Sequence, residues 1–444
     1  MIQYKQSGVA LPGASALTGI EDLEPAAATP LALLADPAAR RLLATAPTPA
    51  FVHAPRIARA RLARFRALLP GVDVFYSVKT QPDSPLLAAF AEDGTGFDVA
   101  SDGELALVRA LGVPGERMLF GNPIKTSQSI ARARDAGLML YAADSEEEIA
   151  KIAAIHPGAH VQMRLRATPG RAAWPSGPKF GVEPGGVVRL MRRAVEVGLV
   201  PAGVSLNVGS QQVDPQTWRA GITTAAEVLG RAEAEGFAPW LLNLGGGFPA
   251  PYGLGEDPLA DVARVVRDAL ASAFGDRLGR YRLLAEPGRA LSAEAGAVVA
   301  SVVLATRRDG KRWLMIDAGL YRGLIEAMGE TIRYPILVPD RGAPLEPTSI
   351  AGMTCDSVDV LYASTPYMLP VDLAEGDRLV FLSAGAYSTT YSAVAFNGLL
   401  PPGIHVADAL PGPDDGPDPF GDADLPQAEA AQRAAAEPLD HAPA

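Results

Sequence analysis

Val74-Phe75-Tyr76-Ser77-Val78-Lys79-Thr80 decides how this chain is read. Apolar and β-favouring residues run straight into a lysine, and the polar Thr80-Gln81-Pro82-Asp83 then breaks the strand. A lysine at the carboxyl end of a buried parallel strand sits at the mouth of an α/β structure, where its amine is partly desolvated. Burial disfavours an ammonium and makes the neutral, nucleophilic amine accessible. Schiff-base chemistry needs that form. A lone lysine is more often a solvated loop residue, so the reading rests on what surrounds it.

Working outward, short apolar runs alternate with longer amphipathic segments between residues 55 and 290. The runs at 72–77, 96–100, 117–121, 138–143, 160–166, 203–208, 240–244 and 281–285 read as strands. Residues 57–69 and 187–197 carry apolar side chains at three-to-four spacing, and Ser145-Glu146-Glu147-Glu148 is a capping box opening another helix. Eight strands with helical crossovers fit a (β/α)₈ TIM barrel better than an open doubly wound sheet.

A barrel makes the strand ends informative, because its active site lies at the carboxyl face. There the sequence places Lys79, Asp98, Asn122, Asp144, Arg166, Asn207-Val208-Gly209-Ser210, Gly245-Gly246-Gly247 and Glu286-Pro287-Gly288-Arg289. All eight ends are polar or glycine-rich, which a purely structural barrel does not need. The triple glycine lets backbone N–H groups turn toward an anion, although alone it reads equally well as a turn. Ser210 and Arg289 could complete a phosphate cup. Glu286 could be a salt-bridge partner of Arg289, or could hold a heteroaromatic nitrogen protonated. A reactive lysine, a phosphate cup and a carboxylate on one barrel face describe a pyridoxal phosphate site.

After residue 290 the pattern becomes β-rich, with runs at 298–305, 313–316, 332–337 and 378–382. The expected organisation is an N-terminal extension over 1–45, the barrel over 46–290, an all-β domain over 291–410 and a tail over 411–444. Phe51-Val52-His53 is expected to add a strand to the β-domain. The tail carries eight acidic groups against one arginine and few large apolar residues, and reads as disordered. It holds −7 of the net charge of −11. No basic stripe points to nucleic acid, no apolar run reaches the roughly 20 residues a membrane helix needs, and no secretory signal opens the chain. The single cysteine, Cys355, excludes an intramolecular disulfide or a cysteine zinc cluster. Together these lead us to expect a cytoplasmic protein.

The motifs resemble those of the fold-type III pyridoxal phosphate decarboxylases, which include ornithine, diaminopimelate and arginine decarboxylases, over roughly residues 45–405. They are Tyr76-Ser77-Val78-Lys79, Gly96-Phe97-Asp98-Val99-Ala100-Ser101, Lys179-Phe180-Gly181, Val208-Gly209-Ser210-Gln211, Gly245-Gly246-Gly247-Phe248-Pro249 and Glu286-Pro287-Gly288-Arg289. Cys355-Asp356-Ser357-Val358-Asp359, Gly385-Ala386-Tyr387 and Phe396-Asn397-Gly398 follow. The resemblance implies an alanine racemase-type barrel with a C-terminal β-domain, and a homodimer with shared active sites. It implies that Lys79 holds the cofactor, with Asp98 and Asn207 beside it. Ser210, Gly245, Gly246, Gly247, Arg289 and Tyr387 would take the phosphate, Glu286 the pyridine nitrogen, and Cys355, from the opposite subunit, the protonation step. Asp356 is the ornithine-type choice for a distal ammonium, and Tyr321, Glu326 and Glu330 lie where the family contacts substrate, although Glu326 and Glu330 read equally well as a solvated helical face. Arg333-Tyr334 keeps an acidic distal group open, as in diaminopimelate enzymes. One position departs from the family: Asn207 stands where a ring-stacking histidine is usual, which leaves a racemase or a non-catalytic, partner-binding relative as alternatives.

Overall fold

The computed structural model describes residues 32–166, 170, 172–175, 177–253, 258–339 and 341–407. The acidic tail, and its reading as disordered, lie outside the described residues, as does most of the N-terminal extension. The described chain forms two compact units, one of residues 58–250 and 258–292, the other of residues 32–57, 251–253 and 293–407.

The first unit is a closed barrel of eight parallel strands, as the alternation of short and long segments predicts. They are β1 (Val72–Ser77), β2 (Gly96–Val99), β3 (Met118–Phe120), β4 (Leu140–Ala143), β5 (His160–Arg164), β6 (Val200–Ser205), β7 (Leu241–Asn243) and β8 (Arg282–Ala285). Each pairs with its neighbour in chain order, and β8 closes on β1 through Leu283 opposite Val72. Phe75, Leu119, Leu140, Ala202, Leu241 and Leu284 fill one end of the interior, so the barrel has a packed core and no pore. Side chains alternate along a strand; the inward positions nearer the carboxyl ends are therefore free to be polar.

The crossovers are helices with readable starts. Ser145 accepts the N–H of Glu148, and Ser101 accepts that of Glu104, satisfying amides that the first turn leaves unpaired. Two departures from the sequence reading concern the sixth strand. It starts at Val200, three residues earlier than its apolar run suggests, because half-exposed Pro201 still pairs with Val161. The Ser210 motif is also not merely a strand end. Ser210–Gln212 pairs antiparallel with Ala172–Trp174 in a separate two-stranded ribbon.

The second unit is mostly β. Its sheet runs in the order Ile336–Leu337, Arg378–Phe381, Gly296–Arg308, Lys311–Ile316, Leu345–Gly352 and Val360–Pro370. Ala50–His53 pairs antiparallel with Gly296–Arg308 and parallel with Gly403–Val406. The helix Pro37–Thr45, capped by Asp36, contributes Ala39 and Leu43 to a core with Val52, Val299, Val380 and Leu382. Among the described residues no helix is long and apolar enough to cross a membrane.

Candidate active site

In the barrel unit, β1 ends at Ser77 and a single 3₁₀ turn, Val78–Thr80, carries Lys79. Lys79 Nζ donates to Asp98 Oδ2 at 2.9 Å and to Ser77 Oγ at 3.2 Å, and Ser77 Oγ donates to the same carboxylate oxygen at 2.9 Å. Asp98 lies within β2, almost wholly buried, while the Lys79 side chain is 45% exposed. An opposite charge, more than the desolvation expected from sequence, shapes the surroundings of the amine. The second carboxylate oxygen, Asp98 Oδ1, is buried without a hydrogen-bond partner.

Glu286 follows β8 by one residue. Asn243, at the end of β7, donates through Nδ2 to Glu286 Oε1 at 2.6 Å and to Gln162 Oε1 at 3.0 Å, while its own Oδ1 accepts the N–H of Gly245. Burial, and then the charge of Asp98, push the Glu286 carboxyl up to about 7, against the opposing pull of Lys79, Asn243 and Arg164. Arg164, inward on β5, has a guanidinium whose charge burial disfavours, and its Nε makes no hydrogen bond.

The phosphate-type residues also converge. Arg289 is almost fully buried, and its Nη2 donates to Ser210 Oγ at 3.2 Å. Gly245 and Gly247 have φ of +71° and +99°, where a side chain is strained. A Cβ on either would collide with a backbone carbonyl, of Leu206 and Gly209 respectively. Gly246 has its own Cβ position against the carbonyl of Glu286, so neighbouring carbonyls crowd out a side chain at all three glycines. Asn207 accepts the N–H of Gly209 through Oδ1 at 3.2 Å. It therefore shapes the turn that leads to Ser210, a role asparagine performs well.

These observations pass a test of fit for pyridoxal phosphate. A buried cation, a hydroxyl and a glycine cradle suit a phosphate dianion. A carboxyl poised near 7 suits a pyridine nitrogen, and the orphaned Asp98 oxygen marks a buried acceptor that the chain leaves unsatisfied. Asn243 escaped the sequence reading because it lies inside a run that looks apolar, and Gln162 and Arg164 because attention to strand ends passes over residues within a strand. Gln162 and Arg164 stand two apart, on one face of β5, and that spacing was the available signal.

In the β unit, Tyr321 donates through its hydroxyl to Asp356 Oδ2 at 2.6 Å, and Val358 N–H donates to Asp356 Oδ1 at 3.0 Å. These bonds hold the Asp356 carboxyl below its ordinary range. The Tyr321 ring packs on Phe396 with centroids 4.7 Å apart. Cys355 is exposed, and the side chain of Asn397, whose motif alone assigns it no role, contacts it. Glu330 is engaged elsewhere, accepting the N–H groups of Ala363, Ser364 and Thr365 and pairing with Arg333. Burial alone would raise its carboxyl, but the Thr365 hydroxyl and the amides of Ser364, Thr365 and Ala363 hold it below the ordinary value. Glu326 is buried, with its carbonyl accepting Ile332 N–H. Tyr387 adopts φ of +62° and packs against Tyr391.

The profile of the family described as "Pyridoxal-dependent decarboxylase, pyridoxal binding domain" matches residues 56–293. A lysine/ornithine decarboxylase of Selenomonas ruminantium is 31% identical over 354 residues, covering 79% of this chain and 88% of that protein. An ornithine decarboxylase of Caenorhabditis elegans is 32% identical over 359 residues, 77% and 83% of the two chains. The crystal structure of a lysine decarboxylase from Selenomonas ruminantium is similar at a TM-score of 0.73, with 30% identity over 81% of this chain and 92% of that one. The chain belongs to the pyridoxal-dependent decarboxylases, in their ornithine decarboxylase-like branch.

Proposed function

We propose that the chain decarboxylates a basic amino acid of ornithine or lysine length, releasing carbon dioxide and a diamine, and that it does so as a cytoplasmic homodimer with shared sites. Bound pyridoxal phosphate supplies an aldehyde for a lysine to hold and a protonated ring that takes up the electron pair left as carbon dioxide departs. Lys79 Nζ is the anchoring amine, and Asp98 Oδ2 is placed to hold the proton that Nζ loses when it acts as a nucleophile. Glu286, poised near 7, holds a proton against the ring nitrogen. Arg289, Ser210 and the amides of Gly246 and Gly247 bind the phosphate, with the Tyr387 hydroxyl as a further contact, while the Gly245 amide is held by Asn243 Oδ1. Asn207 keeps the Ser210 turn in shape and leaves ring packing to other groups.

Cys355 of the partner subunit gives a proton to the substrate carbon. Asp356 meets the distal ammonium, its charge held in place by Tyr321 and the Val358 amide. Glu330 is committed to the 363–365 backbone, so among the acidic candidates Asp356 carries the assignment. An acidic distal group is disfavoured because the Arg333 guanidinium is already used. It lies 4.4 Å from the Tyr367 ring centroid and 4.8 Å from that of Tyr362.

The observation that carries this reading is the Glu286 carboxyl, raised and hydrogen-bonded on the barrel that also presents Lys79 and Arg289. A strong acid–base partner on the ring nitrogen suits loss of carbon dioxide better than racemisation. The test is carbon dioxide release from ornithine, lysine, arginine and diaminopimelate, each as both enantiomers. Preferred turnover of ornithine or lysine supports the proposal. Preference for diaminopimelate would move the distal assignment away from Asp356, and racemisation without carbon dioxide release would overturn it.

A further inference from the structure

Cys355 is more constrained than an exposed thiol in a turn needs to be. Behind it, Thr354 donates its N–H and its hydroxyl to Asp359 Oδ2 at 3.3 and 2.6 Å, while Asp359 Oδ1 takes the N–H of Leu320 at 2.7 Å. In front of it, the loop 393–400 is tied to the turn 317–322. Ala393 N–H donates to Tyr321 O at 2.9 Å, Arg322 Nε donates to Leu400 O at 2.8 Å, and Phe396 packs on Tyr321. The loop ends up presenting Asn397 to the cysteine. Asn397 has φ of +54°, the left-handed region that asparagine tolerates better than most residues.

The Asn397 amide grips Cys355 at two points. Its Oδ1 accepts the Cys355 N–H at 3.1 Å and its Nδ2 donates to Sγ at 3.2 Å. The orientation is dictated by chemistry: a backbone N–H needs an acceptor, so the amide oxygen faces it and the NH₂ faces sulfur. Sulfur is thereby the acceptor, and its S–H points elsewhere.

We propose that Asn397 is a positioning residue for the protonation step, aiming the Cys355 S–H and stabilising the sulfur that remains. The inference rests on the proposed role of Cys355. In that step the S–H bond breaks and its proton forms a C–H bond with the electron pair on the substrate carbon. The S–H electron pair stays on sulfur as a thiolate, which takes up a proton from solvent afterwards. A side-chain N–H donated to sulfur favours the thiolate.

The test uses the cofactor-loaded protein and the fact that Cys355 is its one cysteine, so alkylation by iodoacetamide reads a single site. Asn397→Asp is the decisive variant. It keeps the oxygen that accepts the Cys355 N–H and replaces the donor to sulfur by a negative charge. Alkylation and turnover should both fall by about tenfold, the lower end for a hydrogen bond to a charged group. Rates are normalised to those of the unfolded chain in denaturant. Should the aspartate disturb the loop, Asn397→Gly, which lacks the donor and accepts the same left-handed backbone, should show the same loss. Asn397→Asp, or failing it Asn397→Gly, reacting and turning over like the parent would overturn the proposal, because the donor to sulfur would then be dispensable. Full activity in Cys355→Ser would instead overturn the underlying role of the cysteine, whatever the Asn397 variants do.

Discussion

The barrel and the β unit present their polar side chains in different ways. Barrel residues come from the ends and inner faces of strands, and Asp98, Asn243 and Arg289 are nearly inaccessible to solvent. The hydrogen-bonded sheet fixes them, and burial tunes them, as the raised Glu286 carboxyl records. In the β unit Cys355 and Asn397 stand on exposed turns and depend on one another for position. Asp356 is held by Tyr321, Cys355 by Asn397, and the turns by Asp359. Chemistry that needs a shifted proton affinity is housed where desolvation is strong. The groups proposed to meet substrate, Cys355 and Asp356, stand on loops propped by side-chain bonds.

The sharpest way to break this contrast is at Lys79. Lys79→Ala should abolish turnover and the visible absorbance of the bound cofactor while circular dichroism stays unchanged. Retained absorbance and activity would remove the barrel from the centre of the chemistry.

Glu286→Gln should lower turnover by roughly 10²-fold, the scale for losing a positioned proton donor or acceptor. It also separates burial from the rest through pH. The folded carboxyl titrates near 7, above the ~4.3 of an unfolded glutamate. Between those values the folded chain binds more protons than the unfolded one. Glu286 therefore costs stability increasingly as pH rises from about 4.3 to about 7, and the cost is constant above. Measured without cofactor, the melting temperature of Glu286→Gln relative to the parent should be higher at about pH 8 than at about pH 5. The reverse order would mean that charge pairing outweighs burial at this residue.

In the β unit, Asp356→Asn should raise KM for the basic substrate by about tenfold, by loss of a charge-assisted hydrogen bond, with a smaller effect on kcat. Glu330→Gln should leave KM unchanged and lower the melting temperature, because it weakens the acceptor for the 363–365 amides. If the two variants exchange phenotypes, the distal assignment belongs to Glu330.

The smallest expected effect concerns assembly. Lys79→Ala and Cys355→Ala chains, each inactive, should recover about a quarter of parental activity when mixed and exchanged, since half of the twofold dimers are mixed and each has one intact site. No recovery, with subunit exchange demonstrated, would place both residues of a site in one chain.

Much of this was legible before any coordinates. The strand ending in Ser77 and the glycine run at 245–247 announce themselves through strict local requirements: an apolar strand that stops, and a backbone that forbids Cβ. Asn243 is not legible, because one polar residue inside a strand says nothing about which face it takes until the register is known; Gln162 and Arg164 share a face by their spacing, but whether that face is the inner one waits on the register as well. Glu330 reads from the sequence as either a substrate contact or part of a solvated helical face. Only the arrival of the 363–365 backbone shows that it is occupied, and that segment lies more than thirty residues away.

By itself the sequence determined the order of strands and helices, the barrel, and the strand-end positions of the lysine and the glycine run, because each rests on local periodicity or local backbone chemistry. The tertiary structure decided the rest: that Asp98 faces Lys79 from the next strand, that burial lifts Glu286, and that Asn397 reaches Cys355 across 42 residues. Proton affinities and thiol orientation depend on groups distant in the chain and close in space, and such proximity exists only once the chain has folded.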